Sequence, residues 1–177
     1  MIIPASLTSI GYHTFSDCAS LTDVIIPDSI TSIGEYAFCN CTGLTNVTIP
    51  DSVISIGTGA FKLCSSLTSV TIPASVTSIE FGVFQYCSSL TSVTISDSAT
   101  SIGEAAFWEC TNLTSVTIPG SVTSIGRDAF YGCRNLKDVY YRGSEAQWSQ
   151  IAIDNSGNKN NPLLNATIHY NYNSTGN

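Results

Sequence analysis

A period of 23 residues constrains this chain more than any other feature of its sequence. Phenylalanine, cysteine, leucine and isoleucine each recur six times at that interval. The four columns are Phe15, Phe38, Phe61, Phe84, Phe107 and Phe130; Cys18, Cys41, Cys64, Cys87, Cys110 and Cys133; Leu21, Leu44, Leu67, Leu90, Leu113 and Leu136; and Ile10, Ile33, Ile56, Ile79, Ile102 and Ile125. Periods of about 20 to 50 residues are typical of repeat proteins, whose units bury their apolar faces by stacking on one another. Residues 1–139 therefore predict a solenoid of six coils, the first of them truncated.

One unit reads LTSVTIPxSVTSIGxxAFxxCxx and contains two short extended segments. Residues 69–72, SVTI, alternate polar and apolar side chains, which is the period of a strand with one buried face. The proline that follows donates no ladder hydrogen bond and ends this strand, and a Ser-Ile pair further on marks the second segment. The next stretch, as in residues 34–41, predicts a helical turn that buries Phe38 and Cys41. Equivalent strands of successive coils are expected to pair in parallel.

Two columns of the repeat are interrupted. Ser96 stands where the other five units have the proline, and Glu80 replaces a glycine. The glycines of that column are Gly11, Gly34, Gly57, Gly103 and Gly126. Both interruptions fall in otherwise regular units, so the count of six repeats stands.

The period fails in residues 140–177, which we predict to be a C-terminal capping segment continuous with the repeats in one domain. Ser144 and Gln147 have the spacing of a capping box and predict a short helix that carries Trp148. The alternation in residues 166–170 predicts a final strand. At the other end the chain begins in mid-unit, which leaves an unpaired strand edge of a kind that proteins normally cover. Upstream repeats in a longer protein, or self-association through this edge, would cover it.

The unit LxxVxIPxSVxSIGxxAFxxC resembles the BspA-like, treponemal-type class of leucine-rich repeats over about residues 2–139. This resemblance implies a leucine-rich-repeat solenoid, a right-handed superhelix with a parallel sheet on one face. It also implies a cell-surface or secreted protein of a bacterium or parasitic protist, with a role in adhesion to host matrix proteins or other microbes. The class has no fixed functional motif, so no residue role is carried over.

Charge and hydropathy exclude several classes of partner. The chain has six Lys and Arg residues and thirteen Asp and Glu residues, so no basic stripe that could bind nucleic acid can form. No apolar run reaches the roughly 18 to 20 residues that a membrane span needs, and the N-terminus lacks the pattern of a secretion signal. A surface location therefore rests on the family resemblance alone.

Neither a metal centre nor catalytic chemistry is predicted. Six cysteines form one column at a spacing of about 4.8 Å, too wide for a disulfide, whose Cβ atoms lie about 3.8 Å apart, so we expect free buried thiols. Cys39 lies outside the column and is expected to react first with a thiol reagent. His13 and His169 belong to opposite ends of the array, and nucleophile, phosphate-loop and dinucleotide motifs are missing. We expect no enzyme and no cofactor.

Two surfaces are candidates for ligand binding. One is the outward face of the strands, with regularly spaced hydroxyls suited to a glycan or peptide; the alternative is that threonine simply suits exposed strand positions. Its candidate residues are Ser69, Thr71, Ser92, Thr94, Ser115 and Thr117. The other is a flank rich in aromatic side chains near the predicted turn; the alternative is that these rings only shield the phenylalanine column. Its candidate residues are Tyr36, Phe81, Tyr86, Trp108 and Tyr131.

The sequence thus predicts a non-enzymatic interaction or adhesion module of a cell-surface or secreted protein. Its partner would be a protein or glycan on a host or microbial surface. The alternative is a structural spacer or stalk within a larger surface protein.

Overall fold

Each repeat forms one coil with three sides in the computed structural model, which describes residues 1–173 except for the Asn158 side chain. The six coils span residues 1–20, 21–43, 44–66, 67–89, 90–112 and 113–135. Strands form two of the sides and a run of turns forms the third. The predicted solenoid of six 23-residue coils is confirmed.

The first side is the strand that follows each leucine, and we call this row of strands the primary sheet. Its strands, numbered along the chain, are β2 (Asp23–Ile25), β4 (Asn46–Thr48), β6 (Ser69–Ile72), β8 (Ser92–Ile95), β10 (Ser115–Ile118), β12 (Asp138–Tyr141) and β14 (Thr167–His169). Pairing is parallel and shifts by 23 residues from β2 to β4 and at each step from β6 to β12. Identical positions of neighbouring repeats therefore lie side by side.

The second side is the Ser-Ile pair, and we call this row the secondary sheet. Its strands are β1 (Ser9–Ile10), β3 (Ser32–Ile33), β5 (Ser55–Ile56), β7 (Ser78–Ile79), β9 (Ser101–Ile102), β11 (Ser124–Ile125) and β13 (Ala152–Ile153). Both sheets are interrupted at the same place, since no strand pairing links β4 to β6 or β5 to β7 within the described residues.

The third side, which we call the turn side, differs from the prediction: it is a run of turns and not a helical turn. Two residues of every coil have positive φ on this side. They are His13, Tyr36, Gly59, Gly82, Ala105 and Asp128 in one column, and Asp17, Asn40, Leu63, Tyr86, Glu109 and Gly132 in the other. Alternate N–H groups donate to the next coil, as Phe38 N does to Ala60 O at 2.8 Å. A helix would use those N–H groups within its own turn, so stacking on a neighbour replaces the helix.

The phenylalanine column forms the centre of the core. Neighbouring rings stack along the whole solenoid with centroids 5.2 to 5.7 Å apart. Phe38 to Phe130 are fully buried, whereas Phe15 in the first coil is half-buried. The leucine, isoleucine and cysteine columns pack around these rings. One apolar core therefore runs through all six coils.

The C-terminal segment continues both sheets. β13 pairs with β11, and β14 pairs with β12, both in parallel. The predicted capping box at Ser144 is present and starts helix α1 (Glu145–Trp148). A second helix, α2 (Asn161–Asn165), was not predicted. Residues 174–177 of the predicted cap lie outside the described part of the chain.

Asn160 closes the turn side of the last coil. Its side chain is fully buried, and its Oδ1 accepts from Phe130 N at 2.9 Å. Its Nδ2 donates to Gly126 O at 3.0 Å and to Asp154 O at 2.6 Å. The Asn160 side chain thus supplies the acceptor for Phe130 N that the next coil supplies for the other phenylalanines.

Replacing Asn160 by alanine is expected to lower the free energy of unfolding by about 1 to 3 kcal/mol. The change leaves Phe130 N–H buried and unpaired, at about 1 to 3 kcal/mol, whereas Gly126 O keeps the bond from Ala129 N. Urea unfolding followed by circular dichroism measures the effect. Asn165→Ala, at an exposed position of the same helix, is the matched control; equal losses in the two variants would contradict the capping role of Asn160.

Candidate binding surface

The six predicted polar residues share one face of the primary sheet. Ser69, Ser92 and Ser115 are aligned by strand pairing, and so are Thr71, Thr94 and Thr117. All six side chains are exposed or half-buried, while the valines between them are buried. The two columns are therefore parallel rows of hydroxyls, which we call the hydroxyl face.

The hydroxyls of this face make no hydrogen bond to protein atoms in the part of the chain that the structure describes. Threonines one position before the strands behave differently: Thr91 Oγ1 donates to Thr68 O and Thr114 Oγ1 to Thr91 O, both at 3.0 Å. Threonine in this solenoid thus has two roles. One column ties coils together, and the hydroxyl face keeps its donors and acceptors for solvent or a ligand.

An aromatic cluster that the sequence did not predict ends the hydroxyl face at the cap. Tyr140 and His169 continue the threonine column, and their rings stack with centroids 4.8 Å apart. The Tyr172 ring lies 4.6 Å from the Tyr140 ring. His169 Nε2 lies 2.7 Å from Asp138 Oδ1, in the column next to it. The 23-residue period does not reveal this cluster, because the cap residues pair with the repeat columns at a different sequence separation.

The structure brings two of the five predicted aromatic residues into ring contact with each other. Trp108 and Tyr131 occupy the same position of neighbouring repeats, and their rings meet edge to face with centroids 5.1 Å apart. Lys159 Nζ lies 5.9 and 5.7 Å from these two ring centroids. Lys159 also pairs with the Asp128 carboxylate at 3.5 Å. This group, which we call the Trp108 cluster, is a second small surface with aromatic and cationic character.

The rings of the other three aromatic candidates do not contact those of the Trp108 cluster among the described residues, although Tyr86 N donates to Trp108 O at 2.7 Å. Phe81 and Tyr86 are exposed, and no ring contact joins them to Trp108 or Tyr131 among the described residues. Tyr36 instead packs on His13 in the first coil, with ring centroids 5.1 Å apart. These residues occupy other positions of the repeat than Trp108 and Tyr131.

The cysteine column is a ladder of buried thiols. Cys41, Cys64, Cys87, Cys110 and Cys133 are buried, and no cysteine among the described residues forms a disulfide. Each of the five thiols donates to the backbone oxygen of the phenylalanine in the preceding coil, at 3.0 to 3.2 Å. A thiol is small and apolar but still a weak donor, which suits this position.

The exposed member of the column is Cys18, whereas the other five thiols each bond to the preceding coil. Cys39 is half-buried, and burial raises the pKa of its thiol. We therefore expect Cys18, and not Cys39 as the sequence suggested, to react first with a thiol reagent.

Native protein treated with a thiol reagent at neutral pH is expected to be modified first at Cys18 and more slowly at Cys39. The five buried thiols should stay unmodified until the chain is unfolded. Mass spectrometry of peptides after timed labelling locates the modified residues. Cys18→Ser, which should remove the fast phase only, is the control, and rapid modification of Cys87 in folded protein would contradict the buried ladder.

The thiol ladder also predicts a loss of stability in alkaline solution. Burial raises the pKa of Cys41 to about 11 and of Cys133 to about 12, from an ordinary value of 9.0. Above pH 9 the unfolded chain therefore releases protons that the folded chain keeps, so stability is full below pH 9 and falls as the pH rises. Urea unfolding at pH 7, 9 and 10 measures this slope. Cys133→Ala should flatten it, and a slope unchanged by that substitution would contradict the prediction.

The first coil carries several exposed apolar side chains. Ile2 is 77% exposed, and Leu7 and Tyr12 are also exposed. Ile2 still bridges to Ile25 in parallel, so the path of the sheet continues to the start of the chain. Self-association through this edge stays a prediction.

Side chains that could act in catalysis or bind a metal are scattered over the described part of the molecule. His13 lies in the first coil and His169 in the cap. Within residues 1–173, no three His, Cys, Asp or Glu side chains converge as metal ligands do. A cavity of about 340 Å³ lies between the last coil and α1, and its lining, which includes Val122, Tyr141 and Ile151, has no ionised side chain at neutral pH. No helix of the described chain is long and apolar enough to cross a bilayer.

Comparison with known proteins identifies the repeat class. The family model of the BspA type leucine-rich repeat region matches six copies, over residues 1–110 and 31–160. No match was found among curated proteins. The chain belongs to the BspA-type leucine-rich repeat family, as its sequence pattern predicted.

Three solved structures show how far the likeness extends. A leucine-rich repeat protein of Treponema pallidum is 34% identical with a TM-score of 0.76, over 78% of this chain and 67% of that protein. A leucine-rich cell surface protein of Faecalibacterium prausnitzii is 28% identical with a TM-score of 0.58, over 85% of this chain and 62% of that one. A leucine-rich repeat protein of Bacteroides ovatus is 30% identical with a TM-score of 0.52, over 78% and 48%. The chain thus spans between about half and two thirds of these relatives.

Proposed function

We propose that this chain is a non-enzymatic binding module of a cell-surface or secreted protein, and that its ligand lies along the hydroxyl face. The observation that carries the proposal is the set of six aligned side chains whose hydroxyls make no hydrogen bond within the described protein. The surface location is supported by the relative from Faecalibacterium prausnitzii, whose name calls it a cell surface protein.

The hydroxyl face favours a neutral, polar and repetitive ligand. Its six candidate residues carry no charge, so the face offers donors and acceptors without electrostatic selection. Parallel strands lie about 4.8 Å apart, and a glycan or an extended peptide presents polar groups at comparable intervals. A glycan or protein on a host or microbial surface meets this description, and adhesion is the role that the family resemblance suggests.

The simpler explanation is that threonine only suits an exposed strand. That explanation accounts for the residue type, since β-branched side chains fit a strand. It does not by itself account for six hydroxyls kept without protein partners while neighbouring threonine columns bond to the preceding coil. The difference between the columns supports a ligand for the hydroxyl face.

A triple variant tests the proposal without changing the shape of the face. Thr71→Val, Thr94→Val and Thr117→Val together remove three hydroxyls but keep β-branched side chains. The purified chain is applied to an array of host and microbial glycans and matrix proteins, and hits are titrated by calorimetry. We expect the triple variant to weaken binding at least about tenfold, since each lost hydrogen bond contributes about 0.5 to 1.5 kcal/mol.

The matched control is Trp108→Ala with Tyr131→Ala, which removes the aromatic rings of the Trp108 cluster and leaves the hydroxyl face intact. Binding that survives the triple valine variant but is lost in this double variant would move the site to the Trp108 cluster. Absence of any saturable ligand would overturn the proposal in favour of a spacer within a larger surface protein.

A further inference from the structure

The stack of coils is open at one junction. The strands of coil 3, β4 and β5, do not pair with those of coil 4, β6 and β7, whereas every other neighbouring pair of coils among the described residues is joined in both sheets or bridged. A cavity of about 250 Å³ lies at this junction, lined by residues 47–49 and 69–71. The opening is therefore on the side of the sheets.

Backbone hydrogen bonds on the secondary sheet locate the defect. At four junctions the glycine after the Ser-Ile pair donates to the isoleucine oxygen of the preceding coil. These bonds run from Gly34 to Ile10, Gly57 to Ile33, Gly103 to Ile79 and Gly126 to Ile102, at 2.7 to 2.8 Å. Glu80 N, which holds the same position in coil 4, makes no such bond to Ile56 O. Thr77 N likewise makes none to Ile54 O, although Thr100 N donates to Thr77 O at 2.8 Å.

The β-carbon of Glu80 explains the gap. A β-carbon at Gly57 would lie 2.6 Å from Glu35 N, and one at Gly103 would lie 2.6 Å from Ile79 O. Those neighbours are backbone atoms of the preceding coil, so they cannot rotate away. Within a regular coil, a residue with a side chain therefore fits this position only if the two coils move apart.

Asp154 holds the corresponding position in the cap and keeps its bond to Ile125 O at 2.9 Å. From there, however, the cap chain forms a turn of its own, in which the Asp154 carboxylate accepts from Ser156 N at 2.9 Å. A β-carbon is therefore a wedge where the chain continues along the path of a coil.

The turn side of the same junction stays closed. Gly59 N, Phe61 N and Leu63 N donate to coil 4 at 2.9, 3.0 and 2.8 Å, as at the other junctions. The rings of Phe61 and Phe84 remain stacked with centroids 5.7 Å apart. On the primary sheet the Thr68 N to Thr45 O bond is 3.3 Å long, against 2.9 Å for Thr91 N to Thr68 O one coil later. The coils thus separate on the sheet side and stay joined on the turn side.

We propose that Glu80 builds a hinge into the solenoid. It divides the coils into two stacks, coils 1 to 3 and coils 4 to 6 with the cap, which pivot about the intact turn side. The hydroxyl face lies wholly on the second stack, so the hinge lets the first stack change its angle to a bound partner without disturbing that face. This inference stands whether or not the hydroxyl face binds a ligand.

Amide hydrogen exchange tests the hinge at single residues. In the natural chain we expect the Thr77 and Glu80 amides to exchange at least about tenfold faster than those of Thr100 and Gly103, their equivalents one coil later. An amide with no hydrogen bond to the preceding coil can exchange without breaking one. Glu80→Gly should remove the wedge, slow both amides at least about tenfold and raise the melting temperature. Nuclear magnetic resonance on the whole chain measures exchange and folding together.

Control variants separate the β-carbon from other causes. Glu80→Ala keeps the β-carbon without the charge, so its junction should stay open, and Ile54→Thr, which restores the residue common in that column, should also leave it open. Gly103→Ala should open the next junction and speed exchange of Thr100; if it does not fold, the Glu80 variants alone decide the question. Slow exchange of Thr77 in the natural chain, or equal closing by Glu80→Ala and Glu80→Gly, would overturn the proposal.

Discussion

Backbone hydrogen bonds between successive coils are the interaction on which this solenoid depends. They occur on all three sides, in the two sheets and between alternate residues of the turn side. They require neighbouring backbones to approach closely, which is why glycine stands where a β-carbon would lie 2.6 Å from the preceding coil. Within the coils, Glu80 in place of this glycine is enough to open both sheets at one junction.

The same stacking turns each sequence column into a continuous row of side chains. Apolar columns become the buried phenylalanine stack and thiol ladder, and polar columns become the exposed hydroxyl face. Because the framework uses one set of side chains and the outward face another, the outward residues contribute little to holding the coils together. Recognition can therefore change by substitution on the face while the core stays the same, which suits a binding module of a surface protein.

The cap shows how the last coil is completed without another repeat. Two short strands extend the sheets, and the buried Asn160 amide bonds the turn side. No periodic signal marks Asn160, because its partners in the last coil, Phe130 and Gly126, lie 30 and 34 residues earlier and meet it only after the cap folds back. The aromatic cluster of Tyr140, His169 and Tyr172 was hidden for the same reason.

The sequence by itself determined the repeat, the number of coils, the buried columns and the family, because a fixed period leaves one way to align identical residues. It also placed the six hydroxyls on one face, since strand alternation and the period fix that face together. Only the tertiary structure decided that the turns are not helical, that the Trp108 ring contacts the ring of Tyr131, and that Cys18 is exposed. Each of these depends on which backbone groups the neighbouring coil offers and how closely it approaches, and those distances exist only once the coils are stacked.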